Sequence, residues 1–111
     1  MITIWHNPRC SKSRQTLALL EGREVEVRKY LEDAPSVTEL RAAQAALGLS
    51  AIEMMRTKEA LFKELGLTKD LPEDALLEAM AANPKLIERP VVFANGKARL
   101  GRPPEQVLDI L

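Results

Sequence analysis

The chain is poor in the residues that carry most site chemistry: it has one cysteine, Cys10, and one histidine, His6. A single cysteine excludes an internal disulfide. Small secreted domains usually depend on such staples, so a reducing, cytoplasmic location is expected. One cysteine and one histidine also make a poor ligand set, so no metal is expected. Net charge is missing too. The 16 basic and 16 acidic side chains cancel, which leaves no footprint of a nucleic-acid binder and requires any anion site to be local. No apolar run is long enough to span a bilayer. The start, MITIWHNP, has neither the basic segment nor the apolar stretch of a signal peptide. Repeats and linkers are absent. The expectation is one domain over residues 1–111, a monomer with no membrane or nucleic-acid partner.

What is present has a clear order. ITIW, residues 2–5, is β-branched and aromatic and reads as a strand that Asn7-Pro8 ends. A helix is predicted from about Ser11, with Leu17 and Leu20 on one face and Gly22 as its stop. VEVRKYL, residues 25–31, alternates and reads as a second strand. Strand, helix and strand with short links make a parallel, right-handed βαβ unit. The middle is helical. Ser36 and Glu39 have capping-box spacing before a helix that Gly48 closes, and Ser50 and Glu53 repeat the spacing. Residues 58–65 form a further helical stretch closed by Gly66. Pro72 opens another that runs to about Ala82. In PVVFANGKARL, Asn95-Gly96 between two β-prone runs signals a hairpin, and Pro103-Pro104 start a final helix. The order is βαβ, helices, ββα. It predicts an α/β, thioredoxin-like fold: a mixed four-stranded sheet with a helical insertion at about residues 36–83.

Cys10 lies between a strand and the start of a helix. Helix N-termini present free N–H groups and about half a positive charge, which favours the thiolate, the nucleophilic form of cysteine. Lowering a thiol pKa from about 8.5 to about 6.5 takes ~2.7 kcal/mol and makes roughly three-quarters of it thiolate at pH 7. A helix end and one guanidinium can supply that. The bland alternative is a small buried hydrophobe, but PRCSKSR, with Arg9, Lys12 and Arg14, is too polar to enclose an inert thiol. His6 reads either as an activating group or as a strand-end residue bonded to backbone. Ser13 has the spacing to donate to the sulfur, or is a first-turn serine bonded to backbone.

Three further arginines sit at pattern breaks: Arg56 in MMRTKE, Arg89 in IERPVV and Arg102 in LGRPPE. Paired guanidinium donors match a tetrahedral oxyanion. In the fold expected here, the loop before the hairpin neighbours the loop opening the first helix, which brings Arg89 toward Cys10. Pro90 is a candidate cis proline.

HNPRCSKSR, MMRTKE, NPKLIERPVV and GKARLGRPPE, in this order along the chain, resemble the motifs of the glutaredoxin-coupled arsenate reductases. The resemblance implies a thioredoxin-like fold with a helical insertion. It implies that Cys10 attacks arsenate, that Arg56, Arg89 and Arg102 bind the oxyanion, and that His6 and Ser13 activate the thiol; Arg14, a cation beside Cys10, is a further candidate for activation. It implies no bound cofactor, glutathione as co-substrate and glutaredoxin as partner. Arg9, Ser11 and Lys12 depart from the small residues usual around the family cysteine. Three other readings stay open. One is a glutathione-dependent thiol oxidoreductase of the same fold acting on another substrate. Another is a stress regulator that binds RNA polymerase, although such relatives usually carry Cys-x-x-Cys and the second position here is Ser13. The third is an inactive interaction domain, in which Cys10 reacts with thiol probes no faster than a free cysteine.

Overall fold

The computed structural model describes residues 1–111, which divide into two compact units. The first combines Met1–Asp33 with Arg89–Leu111, and the second is Ala34–Glu88.

In the first unit, β1 (Ile2–Trp5) leads into α1 (Ser11–Leu19) and then β2 (Val25–Arg28). The second half supplies β3 (Val91–Ala94), β4 (Lys97–Leu100) and a closing 3-10 helix, Pro104–Ile110. The sheet order is β2-β1-β3-β4. β1 pairs parallel with β2 and antiparallel with β3, so the sheet is mixed, as the sequence predicts. The β3–β4 hairpin turns through Asn95 and Gly96 with φ of 54° and 75°, the two positive values that a tight right-twisting hairpin requires.

Alternation along the strands separates two faces. Ile4 and Val92 join Leu20, Ala94, Val107 and Ile110 in a buried cluster, against which Ile2, Leu17, Val25 and Leu111 pack. Each Val, Leu or Ile side chain here contributes ~1.5–3 kcal/mol when fully buried, so this cluster fixes α1 and the closing helix on one side of the sheet. On the other side Trp5 packs against Phe93 at 4.9 Å between ring centroids, with the Arg28 guanidinium 5.8 Å from the Trp5 ring centre.

Two elements differ from the expected bounds. β2 stops at Arg28, not at residue 31. The His6 N–H donates to the Arg28 carbonyl, and beyond that point the chain after β1 turns away at Asn7, so Lys29–Leu31 have no strand to pair with. The closing helix is wound as a 3-10 helix, with i→i+3 bonds such as Gln106 N–H to the Pro103 carbonyl. The proline pair at its start supplies no N–H groups to an α-helical ladder.

The second unit holds α2 (Val37–Leu47), α3 (Ala60–Glu64) and α4 (Glu73–Ala82), with short 3-10 turns at Ile52–Met54 and Pro84–Leu86. Both halves of the Ser36–Glu39 capping box form, and Gly48 ends α2 with φ 69°. Pro72 is the N-cap of α4, one position before its first turn. This unit extends past residue 83 to Glu88 because Met55 and Ile87 form an antiparallel bridge. No helix is long and apolar enough to cross a membrane.

Candidate active site

The site starts from a loop that one asparagine builds. Asn7 Oδ1 accepts from the Arg9 N–H at 3.0 Å, and the Asn7 carbonyl accepts from the Cys10 N–H at 3.0 Å. These bonds fold residues 7–10 into a turn of the kind asparagine favours and deliver Cys10 to the N-cap of α1. Asn7 ends β1 and also starts this turn, a double role that its place before Pro8 signals in the sequence. The first turn of α1 contains no acidic side chain, and Cys10 makes no fully formed capping bond, so the helix end keeps its electropositive character for the sulfur.

Burial is the largest single influence on the Cys10 thiol and acts to raise its pKa. It is outweighed by the Ser13 N–H, the positive charge of Arg89, the Lys12 N–H and a hydrogen bond from the Arg89 side chain, and the net result is a pKa below the ordinary cysteine value. The thiol is half-buried, so it is sheltered without being sealed from solvent. A cysteine at a helix N-terminus facing a guanidinium is the arrangement that yields a reactive thiolate.

The guanidinium that reaches Cys10 is that of Arg89, which the expected approach of the pre-hairpin loop anticipates. The Arg89–Pro90 peptide is cis. The Arg102–Pro103 peptide is cis as well, which the sequence did not suggest. Arg102 joins the same corner: its Nη1 reaches the Arg89 carbonyl at 3.5 Å, and its side chain is otherwise exposed. Arg56 belongs to the second unit, where Nη2 pairs with Glu59 Oε2 at 3.1 Å.

His6, Ser13 and Arg14 act differently from the expected roles. The Ser13 hydroxyl is fully buried and lies 2.7 Å from His6 Nδ1, while accepting from the Asn7 N–H at 3.0 Å. It is therefore the Ser13 backbone N–H that lowers the Cys10 pKa, while the hydroxyl braces the strand end. His6 is 5% exposed, and its pKa is lowered by burial first and then by the charges of Lys29 and Arg14. All three influences favour the neutral imidazole over the charged one, so His6 is poorly placed to supply positive charge to the thiolate. Arg14 does not act on Cys10 directly. Its Nη1 donates to the Pro8 carbonyl at 3.0 Å, and its charge is felt by His6. No three His, Cys, Asp or Glu side chains come together in a metal-holding group.

The shift direction sets a pH dependence. A thiol whose pKa is lowered in the folded chain gains thiolate at a lower pH than free cysteine does. Iodoacetamide should alkylate Cys10 at a nearly constant rate above its midpoint, and the rate should fall as pH drops through it. A small-thiol control should lose its rate nearer about pH 8.5. Stability follows the same sign: the contribution of Cys10 is complete above the unfolded-state pKa and is lost as pH falls through the folded one. A Cys10 profile coincident with the small thiol would remove the activation argument.

Comparison with known proteins supplies independent findings. The sequence model of the ArsC family matches residues 5–110. An uncharacterized protein of Escherichia coli, YfgD, is 58% identical, with 99% of this chain and 96% of that protein covered. A protein of Neisseria meningitidis named arsenate reductase is 54% identical, over 99% of this chain and 97% of its own. Among solved structures, that of an arsenate reductase from Vibrio cholerae superposes with a TM-score of 0.96 at 60% identity, covering 99% of this chain and 97% of that one.

Proposed function

This chain belongs to the ArsC family, and we propose that it reduces arsenate to arsenite with glutathione and glutaredoxin as its thiol partners. The observation that carries the reading is the Cys10 thiol at the N-terminus of α1 with the Arg89 guanidinium beside it. The names of full-length relatives support arsenate as the oxyanion.

In the proposed sequence the Cys10 thiolate attacks arsenic, and one arsenate oxygen leaves as water after protonation. The helix N-terminus and the arginines hold the charged oxygens as the arsenic–sulfur bond forms. Arg89 and Arg102 are the donors that the first unit supplies, and Arg56 is assigned the same role by the family resemblance. A glutathione thiolate then attacks the Cys10 sulfur. The sulfur–arsenic bond breaks with its electron pair going to arsenic, which leaves as arsenite. The two electrons that reduce arsenic come from the two thiols, which end as a Cys10–glutathione disulfide. Glutaredoxin takes the glutathionyl group and returns the Cys10 thiol. With one cysteine in the chain, the second sulfur has to come from outside it. Arg9, Lys12 and Arg14, all exposed at the mouth of α1, suit the carboxylates of glutathione. No bound cofactor takes part, and the compartment that suits these partners is the cytoplasm.

The test is a coupled assay containing arsenate, glutathione, glutaredoxin, glutathione reductase and NADPH. Arsenate-dependent NADPH oxidation with matching arsenite formation is expected. Glutathione-dependent disulfide turnover without any response to arsenate would assign the site to another substrate.

A further inference from the structure

Gly22, Gly48, Gly66 and Gly96 all have positive φ and open space where a side chain would stand. Gly101 is the reverse. Its backbone conformation is open to any residue, but it has no room. A Cβ there would lie 2.6 Å from Pro90 Cγ and 3.1 Å from Pro90 Cδ, and would collide with Thr16 Oγ1. Real Cβ atoms essentially never approach this closely, so a methyl group at this position has to displace something. What surrounds it is firm. Thr16 is fully buried on α1, with its hydroxyl donating to the Lys12 carbonyl at 2.8 Å. Pro90 is buried and accepts the Gly101 N–H at its carbonyl, at 2.9 Å.

Each of the three elements meeting at this point carries part of the site. α1 presents Cys10 at its N-cap and Lys12 in its first turn. The Pro90 loop carries Arg89, whose charge and hydrogen bond act on the Cys10 thiol. Gly101 itself precedes Arg102, whose guanidinium reaches the Arg89 carbonyl. We propose that Gly101 is a positioning residue: its missing side chain sets how closely the Arg89 loop seats against α1, and thereby where the Arg89 guanidinium stands relative to the Cys10 sulfur. This extends the proposed function, since it rests on Cys10 being the reacting thiol. It does not depend on which oxyanion that thiol attacks.

The experiment reads the rate of Cys10 alkylation by iodoacetamide at pH 7 in the full chain, with folding followed by circular dichroism. Gly101→Ala should lower the rate about five- to tenfold, because the methyl pushes the Arg89 loop away and the thiolate loses its cation. In an Arg89→Gln background the same glycine substitution should change the rate less than about twofold, since the group it acts through is gone. Should Gly101→Ala fail to fold, Thr16→Ala removes the nearer obstacle and leaves Pro90 as the one the methyl meets. The paired variant should then be slower than Thr16→Ala alone by a similar factor. A folded Gly101→Ala chain alkylated at the wild-type rate would overturn the proposal. So would an equal loss in the Arg89→Gln background, which would mark Gly101 as a packing residue only. The readout uses no arsenate, so a wild-type chain inactive toward arsenate would sink the reductase reading and leave this result to be judged by itself.

Discussion

Cys10→Ser should abolish arsenate reduction, lowering turnover at least about a thousandfold in the coupled assay. A serine hydroxyl at the N-cap of α1 keeps the helix end intact, because serine is among the preferred residues there. The variant should therefore fold as the wild type does, with an unfolding midpoint within a few degrees. What it loses is the polarizable thiolate and, on the proposed route, the sulfur that would end the cycle as a disulfide with glutathione. Loss of activity with stability retained separates chemistry from folding. Residual turnover above about one-tenth of wild type would mean that another group carries the reaction.

Arg89→Lys should be the next most damaging conservative change, lowering kcat/KM about ten- to a hundredfold, or ~1.4–2.7 kcal/mol in the barrier. Lysine keeps the charge but loses the planar pair of donors that fits a tetrahedral oxyanion. Arg89 has a second duty, since its charge and hydrogen bond favour the Cys10 thiolate. Thiolate absorbance near 240 nm, followed against pH and referenced to Cys10→Ser, should show a raised midpoint in Arg89→Lys. Arg102→Lys should lower turnover in the same range and leave that midpoint in place, because Arg102 does not act on the Cys10 thiol directly. Wild-type turnover in both lysine variants would show that neither arginine grips the oxyanion.

The parts of the fold legible in the sequence were those decided over a few residues. Ser36, Glu39 and Gly48 announce both ends of α2, and Asn95-Gly96 announces the hairpin, because capping and positive φ are local demands. The alternation after Val25 overstates the length of β2 because the reason it ends lies elsewhere, in the turn that Asn7 imposes on the chain after β1. The same division holds for the site. Cys10 was recognisable from its place before a helix, and Arg89 from the loop adjacency of the expected fold. Proximity in sequence misled for Arg14, which is four residues from Cys10 yet serves the Pro8 carbonyl and His6. At Ser13 the hydroxyl, which the spacing offers to the sulfur, faces His6, and it is the backbone N–H that faces the sulfur. Gly101 carried no signal at all. A glycine that is needed for space looks the same in a sequence as one that is needed for a turn.

Cys10 is expected to pass its oxidation to an external glutathione sulfur. Intact-mass measurement after mixing the chain with arsenate and glutathione, with glutaredoxin left out, tests it most directly. The predicted result is one glutathionyl group per chain, mapped to Cys10 and formed only when arsenate is present. Arsenite accumulating over many turnovers without that adduct, or the adduct forming equally without arsenate, would contradict the account.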